Sequence, residues 1–431
     1  MKDILLEKVF EAERWEAAIN KGFFKGIDKG ELRQLCGPET RVRLAMAILE
    51  DNYEIAPPHQ ALIPKDNGEF RTVYVNENID RIFLSIVNDL LFELCPGMIH
   101  QSCKSYQKGI GCGKVVQEIS HKLKPNPYQN PNGILGFKAD LSKYFDSVPI
   151  EFIDDAFDQV ERKIGKSKVI TVLRKYYHTD LCFDPDGNLI EHYQSLKQGC
   201  AVASFLADVM LFHIDFELYK YSFMNMASMY VRYSDDILYI GTQYENAMSI
   251  LEEELNKMSM KLNPKKVEYL TGDKWFKFLG FMIKGSQITL SPNRVKQFQK
   301  EIGKRSIGNL NYHIGGKIAL KSINRYLYKG DGTYSWATQV LPIINVEKDI
   351  DTLNEFVMDC IRACQTGKRN IGGLGTVTNR KDCTILRGTG KNVSANRKNT
   401  EKEIEGYYSI RCMQKALNIC RPVYDTIVRE M

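Results

Sequence analysis

The stretch Tyr230-Val231-Arg232-Tyr233-Ser234-Asp235-Asp236-Ile237-Leu238-Tyr239-Ile240-Gly241 sets two adjacent acids between two apolar, β-rich arms. Side-by-side carboxylates repel each other. A hard divalent cation relieves that repulsion, and Mg²⁺ in particular takes oxygen ligands while keeping positions open for substrate phosphates. Taken alone, the segment is equally well read as a plain hairpin with an Asp-rich turn. A second segment shifts the balance: Gly136-Phe137-Lys138-Ala139-Asp140-Leu141-Ser142-Lys143-Tyr144-Phe145-Asp146-Ser147-Val148-Pro149. It reads as a buried strand ending on Asp140, a polar turn with two aromatics, and the start of a helix. An acid at the carboxyl end of a core strand points into a cleft. Asp140, Asp235 and Asp236 together could hold two metal ions about 3.5–4 Å apart, one activating a 3′-hydroxyl and one stabilising a leaving pyrophosphate. Asp146 reads as the N-cap before Pro149 rather than a ligand. The seven histidines are dispersed, none with an acid or cysteine at ligand spacing, and read as structural or surface residues.

The elements that must position these acids follow from periodicity. Residues 1 to about 50 carry Leu5, Val9, Trp15, Ala18, Val42, Leu44, Ala47 and Leu49 at helical spacing. Ala61 to Val75 reads as a β-hairpin around an Asn-Gly turn, and Ile82 to Leu94 as an amphipathic helix. Strand and helix signals then alternate: a strand at 134–140, a helix from Pro149, a hairpin at 184–194, a helix at about 200–220 and a hairpin at 229–240. From about 291 the pattern turns helical, resuming at 401–429 after a basic loop. The class is α+β or α/β rather than a bundle.

The 431 residues, 43% of them hydrophobic, exclude a disordered tail and suggest two or three structural units. No apolar run approaches the ~18–20 residues of a membrane span, and the charged start Met1-Lys2-Asp3 speaks against a signal peptide. A cytoplasmic location is expected, with no membrane partner. Eleven cysteines without a C-x-x-C pair fit free thiols in a reducing compartment and no structural zinc. Residues 366–400 concentrate Lys368, Arg369, Arg380, Lys381, Arg387, Lys391, Arg397 and Lys398 against Asp382 alone, in a Gly-, Asn- and Thr-rich context. This reads as a flexible basic loop suited to a polyanion, or else as a solubilising linker.

With these motifs in order, residues 62 to about 283 resemble a bacterial reverse transcriptase of the group II intron-like lineage. The resemblance rests on Asp140-Leu141-Ser142-Lys143-Tyr144-Phe145-Asp146, Gln198-Gly199, Tyr233-Ser234-Asp235-Asp236, Leu262-Asn263-Pro264-Lys265-Lys266 and Phe278-Leu279-Gly280-Phe281. Ser234 stands where Ala is commoner in that family. The resemblance implies an α+β right-hand polymerase: an N-terminal helical extension at 1–55, fingers at 56–139 with part of 150–195, palm at 136–290, and a helical thumb and C-terminal region at 291–431. It implies Asp140, Asp235 and Asp236 as catalytic metal ligands for two Mg²⁺ ions, with Mn²⁺ able to substitute. Lys65 and Arg71 would clamp the incoming triphosphate, Gln198 and Gly199 would support the nucleotide, and Phe145 would exclude a 2′-hydroxyl and so favour dNTPs. Lys266 would donate a proton to pyrophosphate. Phe278, Leu279 and Gly280 would form the primer grip, and His100 to Gly109 a polar loop touching template.

The second palm motif, Ser195-Leu196-Lys197-Gln198-Gly199-Cys200-Ala201-Val202, lacks the flanking Ser-Pro pairs usual in intron enzymes. Neither a His/Cys-rich endonuclease segment nor the retron signatures Asn-Ala-x-x-His and Val-Thr-Gly are found. The resemblance is thus greatest to the unassigned, abortive-infection and defence-associated groups, and it implies cDNA synthesis on a dedicated structured noncoding RNA in antiphage defence. Template-independent or protein-primed synthesis, and a silent RNA-binding scaffold, are the competing readings; the three clustered acids argue against the last. Lys368, Arg369, Lys391, Arg397 and Lys398, with Arg14, Lys21, Lys25, Lys29, Arg33, Arg41 and Arg43 of the N-terminal helices, are the candidate RNA contacts. Oligomeric state is not legible in the sequence.

Overall fold

In chain order, helices α1 (Ile4–Val9), α2 (Ala12–Lys21), α3 (Lys29–Leu35) and α4 (Pro38–Leu49) lead into strands β1 (His59–Pro64) and β2 (Phe70–Val75). Then come α5 (Asn78–Leu94), α6 (Cys112–Lys122), β3 (Ile134–Asp140), α7 (Tyr144–Ser147), α8 (Ile150–Ile164) and α9 (Lys168–His178). The strands β4 (Leu181–Phe183) and β5 (Leu189–Glu191) precede α10 (Ala203–Val209), α11 (Phe212–Met224), β6 (Met229–Tyr233), β7 (Asp236–Ile240) and α12 (Tyr244–Lys257). The strands β8 (Glu268–Thr271), β9 (Phe276–Phe278), β10 (Phe281–Lys284) and β11 (Gln287–Leu290) lead to α13 (Pro292–Gly303). This computed structural model describes residues 2–21, 27–65, 68–107, 109–123, 133–225, 228–308, 322–323, 325–329, 336–350, 352–353, 356–357 and 360. The basic loop at 366–400 and the helix expected at 401–429 lie outside the described residues, as do the hairpin turn residues Asp66 and Asn67.

The chain divides into two compact units, Met1–Gly109 with Tyr128–Thr271, and Ile110–Pro127 with Gly272–Met431. In the first unit a four-stranded antiparallel sheet runs in the order β6-β7-β3-β8. Its central strands are apolar on both faces: Phe137, Ala139, Ile237, Leu238 and Tyr239 are all fully buried, and Phe137 stacks on Tyr239 at 5.7 Å. Near-continuous burial of this kind is what an inner strand requires. Helices α11 and α12 pack on this sheet, while α1 and α2 pack on α5, which buries Ile82, Phe83, Leu84, Ile86, Val87, Leu90 and Leu91. A second sheet runs β2-β1-β4-β5.

Three local expectations change. The hairpin read at 184–194 is centred earlier, because Asp184-Pro185-Asp186-Gly187-Asn188 is the turn itself. Asp184 Oδ1 accepts from the N–H groups of Asp186 and Asn188 at 2.9 and 2.8 Å, closing the chain between β4 and β5. The helix read at 200–220 is two helices, separated at Met210-Leu211. Asp146 does not cap the following helix: it lies within α7, and the N-cap of α8 is Pro149.

The second unit contains an antiparallel meander in the order β11-β10-β9, with α6 packed against β10 and β11. Residues 272–290, assigned to the palm from the sequence, fall in this unit. α13 begins at Pro292, where the sequence turns helical, and Phe298 sits 4.4 Å from the Trp336 ring.

Candidate active site

Pairing of β3 with β7 puts Asp140 opposite Asp236, and pairing of β6 with β7 puts Tyr233 opposite Asp236. Ser234 and Asp235 therefore form the tip between two strands, and all three acids fall at one end of the sheet. The Leu141 N–H donates to the Asp235 carbonyl at 3.3 Å and the Asn263 N–H to the Asp140 carbonyl at 2.8 Å, so the acids share one backbone frame. Burial, then the charges of Asp235 and Asp140, push the Asp236 carboxyl up to about 6; burial and the Asp140 charge also raise Asp235. Buried carboxylates that resist ionisation together are a donor set that a hard divalent cation suits. Among the described residues no three His, Cys, Asp or Glu side chains are already gathered on one point. Asp140 is turned instead to Lys266, whose Nζ donates to its two oxygens at 2.7 and 2.8 Å. Lys266 ends a short 3₁₀ turn, Pro264–Lys266, opened by Asn263 Oδ1 accepting from the Lys265 N–H at 3.2 Å.

Beneath the tip lies a set of residues that the motif reading did not include. Arg232, fully buried, donates through Nε and Nη2 to Asp215 at 2.8 and 2.6 Å, and Tyr230 donates to the same carboxylate at 2.8 Å. Arg232 also donates to the backbone carbonyls of Asp208 and Ser234 at 2.9 and 3.0 Å. Ser105 Oγ donates to Asp208 Oδ1 at 2.5 Å and accepts from the Ser234 N–H at 2.9 Å. The available signal was a charge, Arg232, inside an otherwise apolar strand: such a residue demands buried acids elsewhere. The polar loop read as facing template is partly turned inward. Cys103 and Ser105 are fully buried, and Cys103 pairs with Arg232 of the hairpin.

The cations and the nucleotide loop are in the same unit. Lys65 and Arg71 lie on the exposed β1–β2 hairpin, with Ile63 opposite Arg71 and Lys65 Nζ 3.5 Å from Glu69. The charges of both reach Asp146, and that of Arg71 reaches Asp235. The Gln198 carbonyl accepts from the Tyr74 N–H of β2 at 2.7 Å. Gly199 has φ +111, and a Cβ there would stand 2.8 Å from the Tyr74 carbonyl, so the loop can run along β2 only with glycine at this place. The Phe145 carbonyl accepts from the Leu196 N–H at 3.2 Å, and its ring is half-buried, edge-on to Tyr144 at 5.5 Å. Lys197, almost fully buried, donates to the Thr179 carbonyl at 2.8 Å and Gln194 Oε1 at 3.0 Å, and lies 4.9 Å from the Tyr176 ring.

Phe278 is buried at the end of β9, and Leu279 and Gly280 make the turn into β10 with φ values of 48° and 80°, all in the second unit. Lys368, Arg369, Lys391, Arg397 and Lys398 fall outside the described residues. Two of the N-terminal cations are engaged by acids: Arg14 pairs with Glu93 and Glu11, and Arg33 with Glu16. No described helix is long and apolar enough to cross a membrane, and Cys36, Cys95, Cys103, Cys112, Cys182 and Cys200 form no disulfide.

Helices packed on an antiparallel sheet that carries acids at one end make the α+β architecture of a right-hand polymerase. Residues 63–283, just over half of the 431, match the family model for reverse transcriptase (RNA-dependent DNA polymerase), and the chain belongs to that family. Among solved structures it is similar to an apo telomerase from Candida tropicalis truncated from its C-terminal domain. That match has 16% identity and a TM-score of 0.42, covering 55% of this chain and 56% of that one. The apo telomerase of Candida tropicalis is similar at 11% identity and TM-score 0.43, covering 91% and 87%. The telomerase of that organism in complex with a fragment of telomeric RNA is similar at 14% identity and TM-score 0.43, covering 80% and 67%. No curated protein matches the sequence.

Proposed function

We propose that this chain is an RNA-directed DNA polymerase that extends a 3′-hydroxyl with dNTPs by phosphoryl transfer at Asp140, Asp235 and Asp236. The observation that carries the reading is the register of β3 with β7, which brings Asp140 opposite Asp236 with Asp235 at the adjoining tip. These three residues would hold Mg²⁺, with Mn²⁺ able to substitute; bound there, the ions activate the attacking hydroxyl and stabilise the leaving pyrophosphate. Lys65 and Arg71 bind the triphosphate with charge-assisted contacts. Gln198 and Gly199 support the nucleotide, and Phe145 excludes a 2′-hydroxyl. Lys266, once free of Asp140, gives its proton to the pyrophosphate. In this reading 56–139 with part of 150–195 are fingers, 136–290 palm with Phe278, Leu279 and Gly280 as primer grip, and 291–431 the helical thumb and C-terminal region, with Lys368, Arg369, Lys391, Arg397 and Lys398 on nucleic acid phosphates.

Primer extension with dNTPs, with and without an RNA template, tests the activity. Template-dependent product is expected. Product without template would favour a terminal-transferase reading, and no product in Mg²⁺ or Mn²⁺ a silent scaffold. The template we infer is a dedicated structured noncoding RNA used in antiphage defence, a reading supported by the departures of Ser195–Val202 from the intron pattern. Recognition of such an RNA works through loops, stacking and 2′-hydroxyl contacts. Sequencing RNA and cDNA that copurify from the native host decides the matter. One enriched noncoding RNA with matching cDNA supports it; a broad sample of transcripts, or full phage resistance with Asp235→Ala, refutes it.

A further inference from the structure

Ser234, the residue before the first acid of the turn, has φ +58, a left-handed conformation that a side chain disfavours and that its surroundings must impose. Its peptide groups are gripped from below on both sides. The N–H donates to Ser105 Oγ at 2.9 Å and the carbonyl accepts from Arg232 Nη1 at 3.0 Å. A hydroxyl that accepts from Ser234 has one proton to give, and it goes to Asp208 Oδ1 at 2.5 Å. Arg232 Nη2 donates to the Asp208 carbonyl at 2.9 Å, and Nη1 stands 3.6 Å from Asp208 Oδ1. Both grips therefore end on Asp208, seated in α10. Ser105, Asp208 and Arg232 have no exposed surface, so water does not replace any of these contacts.

We propose that Ser105 and Asp208 are positioning residues for the acidic turn: they fix the Ser234 peptide, and through it the direction in which Asp235 and Asp236 offer their carboxylates to a divalent ion. The inference rests on the reading of those acids as metal ligands. Its measurable consequence is weaker metal affinity alongside a loss of stability, because the Ser234 N–H and Asp208 Oδ1 are left buried without their hydroxyl partner while Arg232 keeps Asp215. Losing one such bond corresponds to about a threefold to tenfold change.

The test uses the full chain as wild type, Ser105→Ala, Ser105→Thr and Asp208→Asn. Mn²⁺ affinity is read from the free-ion electron paramagnetic resonance signal. Mg²⁺ for half-maximal primer extension and metal-free melting temperature are measured alongside. Expected is about threefold to tenfold weaker Mn²⁺ binding by Ser105→Ala, a matching rise in the Mg²⁺ requirement, a lowered melting temperature, and recovery of all three in Ser105→Thr, which keeps the hydroxyl. Asp208→Asn should move affinity the same way; should it fail to fold, the Ser105 pair decides alone. Wild-type Mn²⁺ affinity in a folded Ser105→Ala overturns the proposal, as does lost stability without lost affinity. A wild type that binds Mn²⁺ through Asp235 but extends no primer overturns the polymerase reading, while weaker binding by Ser105→Ala still supports this one. A wild type that binds no Mn²⁺ overturns both.

Discussion

Arg232 lies under the acidic turn and Lys197 under the nucleotide loop, each a cation with 0% and 1% exposure, yet the two are neutralised in different ways. Arg232 meets a carboxylate fork to fork at Asp215, with Asp208 close by, and a guanidinium so paired stays charged at any working pH. Lys197 donates to neutral partners, the Thr179 carbonyl and Gln194 Oε1, beside the Tyr176 ring, and burial, only partly offset by the charge of Asp180, pulls its ammonium down to about 8. The cation under the acidic turn is thereby insulated from pH, while the cation under the nucleotide loop is not. The loop is also tied to its neighbours by backbone contacts, from Tyr74 and to Phe145, which a change of charge on Lys197 leaves in place.

The comparison breaks first at the acids. Asp235→Ala or Asp140→Ala should reduce primer extension to background while nucleic-acid binding in a filter assay persists; near wild-type extension in Mg²⁺ would remove the turn from the chemistry. Next in size, Arg232→Met leaves Asp215 and Asp208 buried without their cation and should cost about 3–5 kcal/mol in urea unfolding. Arg232→Lys should recover only part of that, because an ammonium cannot serve the planar fork. A loss below about 1 kcal/mol for Arg232→Met would show that the pairing does not hold the hairpin.

Lys197 sharpens the contrast through pH. The unfolded lysine keeps its proton to about 10.4, above the folded value, so below pH 8 both states are protonated and the whole cost of burying the charge is present. As pH rises from 8 to about 10, that cost is relieved and wild type gains stability relative to Lys197→Met, on the order of 2 kcal/mol. Paired urea melts at pH 7, 8.5 and 10 would measure it, and a constant difference would mean that Lys197 does not titrate in this range. The smallest effect is expected at Phe145, whose carbonyl receives the Leu196 N–H of the loop. Phe145→Val should raise rNTP use relative to dNTP by about tenfold in a competition assay, the scale of a pocket enlarged by a few methylenes. An unchanged ratio returns the ring to a packing role.

The sequence carried the strand ending on Asp140 and the Ser-Asp-Asp tip because alternation, apolar arms and adjacent acids are local patterns. It placed α13 well for the same reason, from helical spacing after Pro292. Asp208 and Ser105 could not be read that way: their significance is a contact between residues 103 apart, and the Ser105–Ser234 bond spans 129. Asp146 misled because an acid shortly before Pro149 looks like a cap, whereas the chain inserts the one-turn helix α7 there. The hairpin bounds 184–194 start inside the turn, whose own Asp-Pro-Asp-Gly residues mark it between β4 and β5.

The contacts that set the acidic turn also fix when it can take shape. A chain emerging from the ribosome offers Ser105 long before Asp208 and the hairpin at 229–240 exist, and Lys266, the partner of Asp140, comes out last. Pairings of such long separation form slowly and together. A nascent or truncated product ending before Lys266 therefore contains every letter of the Tyr-Ser-Asp-Asp motif without the arrangement that gives those letters meaning.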